Sequence, residues 1–262
     1  VYTDNKSLVQ NSLIKIDGET MRIPERINSS SNFELFFQAK LPPLGFKVFQ
    51  VQQYPSKKSI NKPQNTDKNF VFNNQHLKLD FDEKGNLVQI ENLISSISTK
   101  VAQYICIYNS TSHSSPSEKI QKFSQVSGAY IFRPENDECE RLKISEFKVQ
   151  KATLLDQIYQ VFTYNSSNVT QIIRLYNNEP NVEIEWQVNS IENRFGREIV
   201  IKIDSDIESN GHFYTDSNGR EMLKRVLNFR PTWNLDQTEN TAGNYNPVNT
   251  RIYIKDESET KK

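Results

Sequence analysis

Leu77-Lys78-Leu79-Asp80-Phe81, then Asp82-Glu83-Lys84-Gly85-Asn86, then Leu87-Val88-Gln89-Ile90 is the stretch that decides the fold class. Leu77, Leu79 and Phe81 alternate with Lys78 and Asp80, the period of a half-buried strand. The polar run ending in Gly85-Asn86 supplies a turn, and Leu87, Val88 and Ile90 return as a second strand. Outward from this hairpin the same pattern recurs. Strands are expected near 101–108, 127–133, 143–149, 153–164, 169–176, 181–188, 197–204, 211–215 and 246–254. Upstream, residues 8–17 and 33–53 also read as strands, broken at Leu41-Pro42-Pro43-Leu44-Gly45. Many short strands with turn residues between them predict an all-β sandwich. Scarce Ala and abundant Ile, Phe, Tyr and Val favour strands over helices for the same reason.

Composition narrows the function classes. The 262 residues suffice for one large or two small domains. Lys+Arg and Asp+Glu are both 32, so the basic excess of a nucleic-acid binder is missing. No apolar run approaches the length of a membrane span. Hydrophobic residues are 35%, below the usual share of roughly 45–50%. The polar surplus is Asn, Ser and Gln, while Leu, Ile, Val and Phe stay common enough to build a core. Disorder therefore does not follow. Residues 54–68 (YPSKKSINKPQNTDK) hold two prolines and almost nothing apolar, and form the best linker in the chain.

The ordinary signatures of catalysis are missing from the sequence. No GxSxG, P-loop or GxGxxG occurs. His76, His113 and His212 stand in unrelated contexts, none with ligand-spaced partners, so a metal site is not expected from this chain. Glu183 and Glu185 would lie roughly 7 Å apart on one strand face, and read as a solvated face; Asp204 and Asp206 read the same way. Cys106 and Cys139 are either free core thiols or one disulfide. Five Asn-x-Ser/Thr acceptors, Asn5, Asn28, Asn109, Asn165 and Asn168, point towards the secretory pathway.

Three segments are denser in unusual residues than packing requires: Ser127-Gly128-Ala129-Tyr130-Ile131-Phe132-Arg133-Pro134, Phe213-Tyr214-Thr215-Asp216-Ser217-Asn218-Gly219-Arg220-Glu221, and Ala242 to Ile254 (AGNYNPVNTRIYI). Together with Arg230-Pro231-Thr232-Trp233 and in this order, they resemble the C-terminal half of the lysosomal-type α-mannosidases, glycoside hydrolase family 38. LPPLGFKVFQV (41–51) resembles a family strand pair, and Asn73 to Ile90 the opening hairpin of its large β domain.

The resemblance implies residues 1–55 as part of a small β-sandwich, 56–68 as linker, and 69–262 as a large galactose-mutarotase-like sandwich, with the chain cut at both ends. It implies a retaining enzyme that hydrolyses terminal α-mannosides of glycans in the lysosome or after secretion. The nucleophile, the acid and a zinc ion with two His and two Asp ligands would sit on a catalytic barrel outside this chain, which alone is expected to be inactive. One contact carries over: the family's SGAY tyrosine, here Tyr130, reaches the sugar site. Read without the resemblance, Tyr130 is first a core tyrosine bonded to the backbone. Asp216, Asn218, Gly219, Asn244 and Arg251 read as turn and loop architecture. Two alternatives are a free-standing carbohydrate-binding or adaptor sandwich, and a mutarotase-like enzyme. The latter would need a His and a Glu in one cleft, and His76 and His212 have no evident Glu partner in the sequence.

Overall fold

The structure is a computed structural model. It describes residues 2–3, 33–34, 36–50, 70–111, 126–128, 130–164, 167–189, 191, 196–234 and 236–258. The expected strand over 8–17 and the linker 56–68 lie outside these. Among the described residues there is no α-helix, and no helix long and apolar enough to cross a membrane.

The strands are β1 (Tyr2–Thr3), β2 (Phe33–Glu34), β3 (Phe70–Asn73), β4 (Leu77–Phe81), β5 (Leu87–Asn92), β6 (Ile97–Asn109), β7 (Glu140–Arg141), β8 (Ile144–Lys151), β9 (Leu155–Tyr164), β10 (Ser167–Tyr176), β11 (Val182–Val188), β12 (Arg197–Ser205), β13 (His212–Ser217), β14 (Glu221–Val226) and β15 (Ile252–Tyr253). One sheet runs β12-β6-β5-β4-β3, with β7 added beside β6; a second runs β11-β10-β9-β8; a third, smaller sheet runs β14-β13-β15. Every pairing is antiparallel.

The β4–β5 hairpin forms where the alternation placed it. Asp82 accepts from the backbone N–H of Lys84 (2.9 Å) and Asn86 (2.8 Å), and Gly85 takes φ +83°, which only glycine adopts without strain. A Cβ on Gly85 would also stand 3.0 Å from the Phe147 ring of the facing sheet. The turn is thus packed beneath the opposite layer.

The first two sheets face each other as a sandwich. Phe70, Phe72, Leu79, Phe81 and Leu87 from one meet Ile158, Ile173 and Leu175 from the other in a single buried cluster. Each such side chain contributes about 1.5–3 kcal/mol on leaving water. A second cluster joins Ile105, Ile107 and Leu142 to Phe162 and Val169. Between the clusters lies a polar layer, because the inward-facing register positions 103, 160 and 171 are glutamines. Gln103 and Gln171 donate to each other at 2.9 Å, Gln171 also donates to Gln160 Oε1 (2.7 Å), and Gln160 donates to the Gly85 carbonyl (2.6 Å). Each buried amide therefore has partners, which burial demands.

Several sequence expectations change. Residues 36–50 carry no strand; the arms turn at Pro42 (Gly45 N–H to Pro42 carbonyl, 3.1 Å) and touch through Phe37 and Phe49. Phe46 and Val48 remain exposed, and no partner strand for them exists among the described residues. Residues 127–128 and 130–133 form a loop instead of a strand, and of 246–254 only Ile252–Tyr253 is strand. β14 was not anticipated. Pairing is non-local, so alternation alone does not secure a strand. Glu183 and Glu185 are not a merely solvated pair. Both bond Nη1 of buried Arg174, at 2.5 and 2.7 Å. Burial alone would lower the pKa of that guanidinium, but its bonds to the two carboxylates outweigh this and hold it above its ordinary value. Asp204 accepts from the Tyr104 hydroxyl (2.9 Å) and Asp206 from the Lys100 N–H (3.0 Å), so both are tied to β6.

Candidate functional site

Cys106, on β6, and Cys139 form a disulfide with Cα atoms 5.7 Å apart, which settles the two alternatives left open by the sequence. It clamps the segment 126–141 along the end of β6. The clamp continues through backbone bonds: Leu142 N–H to Ile105 O (2.9 Å), Glu135 N–H to Asn109 O (2.8 Å), Thr111 N–H to Arg133 O (2.8 Å) and Ser127 N–H to Thr111 O (3.2 Å). At the far end the chain reverses, with the Gly128 N–H donating to the Ile131 carbonyl at 3.1 Å. Tyr130 sits on this tip and is 95% exposed. It is not a core tyrosine of this chain. A Cβ on Gly128 would meet nothing within 4 Å, so both residues offer open surface.

The stem below Tyr130 is tied to the loop that leads into the third marked segment. Arg133 Nε meets Glu239 Oε1 at 2.7 Å, and Asn240 Nδ2 donates to Asp137 at 3.1 Å. The loop 237–245 is itself folded around a 3-10 turn at Ala242–Asn244. Asn244 exchanges bonds with Asn228 (2.8 and 2.9 Å), and Arg230 donates to the Gly243 carbonyl. Tyr245 reaches Glu198 on β12 (3.2 Å), where burial first and that carboxylate second raise its pKa.

The second segment is the β13–β14 hairpin. Asn218 (φ 51°) and Gly219 (φ 69°) are both left-handed, and Arg220 N–H bonds Ser217 O at 3.0 Å. This is the hairpin turn that an Asn-Gly pair favours. Asp216, 2% exposed, accepts from the N–H groups of Gly219, Asn249, Thr250 and Arg251 and from the Thr250 hydroxyl, all within 3.0 Å. Those donors, led by the Arg251 and Thr250 backbones, hold its carboxyl far below the usual carboxylate range. All three marked segments and Arg230 thus join in one continuous set of contacts.

Asp216→Ala is expected to lower the melting temperature by roughly 5–10 °C at pH 7, because five donors lose their acceptor at once. The folded pKa lies below the unfolded value of about 3.9. The carboxylate therefore stabilises the fold fully above that pH, and its contribution declines progressively as pH falls from there through the folded pKa. Calorimetry of the two proteins between pH 7 and pH 3 should show the gap in melting temperature narrowing on acidification. A constant gap would show that ionised Asp216 is not the source.

The structure does give His212 a glutamate neighbour, contrary to the sequence expectation. Glu257 Oε2 stands 3.9 Å from His212 Nδ1, because the chain after β15 runs back beside β13. Glu257 Oε1 already accepts from the Tyr214 hydroxyl (2.7 Å), with Lys255 3.7 Å away. This group pins the segment after β15 to β13. Among the described residues no three His, Cys, Asp or Glu side chains converge as metal ligands; His113 lies outside them.

Of the sequons, Asn109 is exposed at the end of β6, where Arg197 Nε donates to its Oδ1 (3.3 Å). Asn168 lies in β10 opposite Thr163. Asn5, Asn28 and Asn165 lie outside the described residues. The disulfide and the Arg133–Glu239 pair left no local signal, since their partners are 33 and 106 residues apart.

Compared with known proteins, residues 72–261 match the glycosyl hydrolases family 38 C-terminal domain. The chain is 39% identical over 240 residues to lysosomal alpha-mannosidase of Felis catus, covering 87% of this chain and 23% of that protein. It is 38% identical over 235 residues to the Homo sapiens protein of the same name, covering 85% and 22%. It is 33% identical over 229 residues to the alpha-mannosidase of Canavalia ensiformis, covering 84% and 22%. The chain thus spans under a quarter of the length of these relatives.

Proposed function

Because the chain belongs to the C-terminal domain family of the family 38 glycosyl hydrolases, we propose that it is the non-catalytic β region of a retaining α-mannosidase acting on terminal α-mannosides of glycans. It supports a catalytic barrel elsewhere in the full-length protein and lends Tyr130 to the sugar site. The observation that carries this reading is the exposed Tyr130 on a loop clamped by a disulfide. A phenol at such a tip contributes nothing to the core of this chain, yet it can donate to or accept from a sugar hydroxyl. Stable bracing beneath a freely exposed side chain suits a contact with a ligand or another domain.

Zinc is expected with the barrel. The described residues do not fit a zinc site. The chain's own residues bind and orient; alone, the chain is proposed to be inactive. Lysosomal residence agrees with the relatives' names, and the disulfide and the sequons suit either lysosomal or secreted residence.

Tyr130→Phe in the full-length protein removes one hydrogen bond without touching the fold. It is expected to lower kcat/KM on an aryl α-mannoside roughly three- to thirty-fold, with an unchanged melting temperature. Unaltered kcat/KM would remove Tyr130 from the site.

A further inference from the structure

The geometry points to Arg133 as a positioning residue for Tyr130, acting through its ion pair with Glu239. The inference rests on the proposed role of Tyr130 and adds a partner to it. Tyr130 is almost wholly exposed, so among the described residues nothing packs against its ring to aim it. Its direction is set by the backbone of its own loop. Arg133 is where that loop is held from several sides. Its N–H donates to Ser127 Oγ (3.2 Å), and its carbonyl accepts from the N–H and the hydroxyl of Thr111 (2.8 Å each). Its Nη1 reaches back across the stem to the Val126 carbonyl (3.4 Å). The guanidinium thereby ties one strand of the loop to the other.

The same guanidinium anchors the stem to the rest of the molecule. Arg133 Nε meets Glu239 Oε1 at 2.7 Å, with the two side chains only 18% and 33% exposed. A charge-assisted bond at this depth is stronger and more directional than a surface pair. Glu239 is itself fixed: its carbonyl accepts from the Gly243 N–H (2.8 Å) and from Gln237 Nε2 (2.6 Å). The loop 237–244 therefore serves as a rigid post for the loop that carries Tyr130. Neutralising Arg133 would leave the tyrosine present but free to point in many directions. Each productive encounter with a sugar would then have to order it again.

Such a residue acts only through the one it positions, so its effect is bounded by the loss on removing the Tyr130 hydroxyl. The test is a double-mutant cycle in the full-length protein, assayed on an aryl α-mannoside. Arg133→Met should lower kcat/KM roughly three- to ten-fold in the parent and less than about two-fold in the Tyr130→Phe background. Glu239→Gln should follow the same pattern with a smaller loss, and serves if Arg133→Met fails to fold. The exchange of both charges, R133E with E239R, should recover part of the activity. An equal loss in both backgrounds would make Arg133 a general structural residue and overturn the inference. So would an unchanged kcat/KM for Arg133→Met where Tyr130→Phe lowers it. If Tyr130→Phe itself changes nothing, the sugar contact fails instead, and chymotrypsin then decides the bracing. Cleavage after Tyr130 should quicken in Arg133→Met, and an unchanged cleavage rate would overturn the brace.

Discussion

Phe72→Ala is expected to lower the unfolding free energy by about 3–5 kcal/mol, the range for emptying a buried aromatic site. Phe72 is 0% exposed and sits on β3 with ring centroids 5.7 Å from Phe70 and 4.9 Å from Phe81. Phe70 stacks in turn on Phe81 (4.8 Å) and on Phe147 of the facing sheet (5.9 Å). The rings thus belong to the seam between the two sheets, and a void there removes contacts from both. The neighbouring β strands cannot collapse into the gap without breaking their ladders. Phe72→Leu keeps most of the volume and should lose well under half as much. Urea titration of the full chain reads both. A loss below about 1 kcal/mol for the alanine variant would mean that this phenylalanine cluster is not where the sheets are joined.

The second large effect belongs to the disulfide. Replacing Cys106 and Cys139 together by alanine should destabilise by about 3–4 kcal/mol, from the loop entropy released over a separation of 33 residues. Alanine is the right substitute at position 106, which is fully buried and would strand a serine hydroxyl. The pattern should also be local. Hydrogen exchange should rise over 126–141, which the bridge clamps to β6, more than over β9 or β10. If kcat/KM of the full-length protein falls in parallel, the clamp and the Arg133 brace serve the same loop. Uniform loss of protection over the whole sandwich would show that the bridge stabilises the fold as a unit and has no special hold on the Tyr130 segment.

Alternation in Leu77, Leu79 and Phe81, with a turn ending in Gly85-Asn86, was enough to specify the β4–β5 hairpin, because register and turn chemistry act between near neighbours. Asn218-Gly219 marked the β13–β14 turn for the same reason, although β14 itself was missed. Its Glu221, Lys224 and Arg225 interrupt the apolar pattern, and pairing with β13 makes it a strand. The stretch 36–50 shows the opposite failure: strong alternation without a partner strand among the described residues. Family motifs in the sequence singled out Tyr130, yet its surroundings were invisible there.

Class, hairpins and family were therefore determined by the sequence itself, since each rests on contacts or motifs within a few residues. Only the tertiary structure decided that Cys106 bonds Cys139, that Arg174 gathers Glu183 and Glu185, that three glutamines divide the core, and that Arg133 and Glu239 meet beneath Tyr130. Each of these joins separate strands or loops across sheet register or loop packing. The partner of a charge, a thiol or an amide is chosen by the fold that brings it near, and no local spacing encodes that choice.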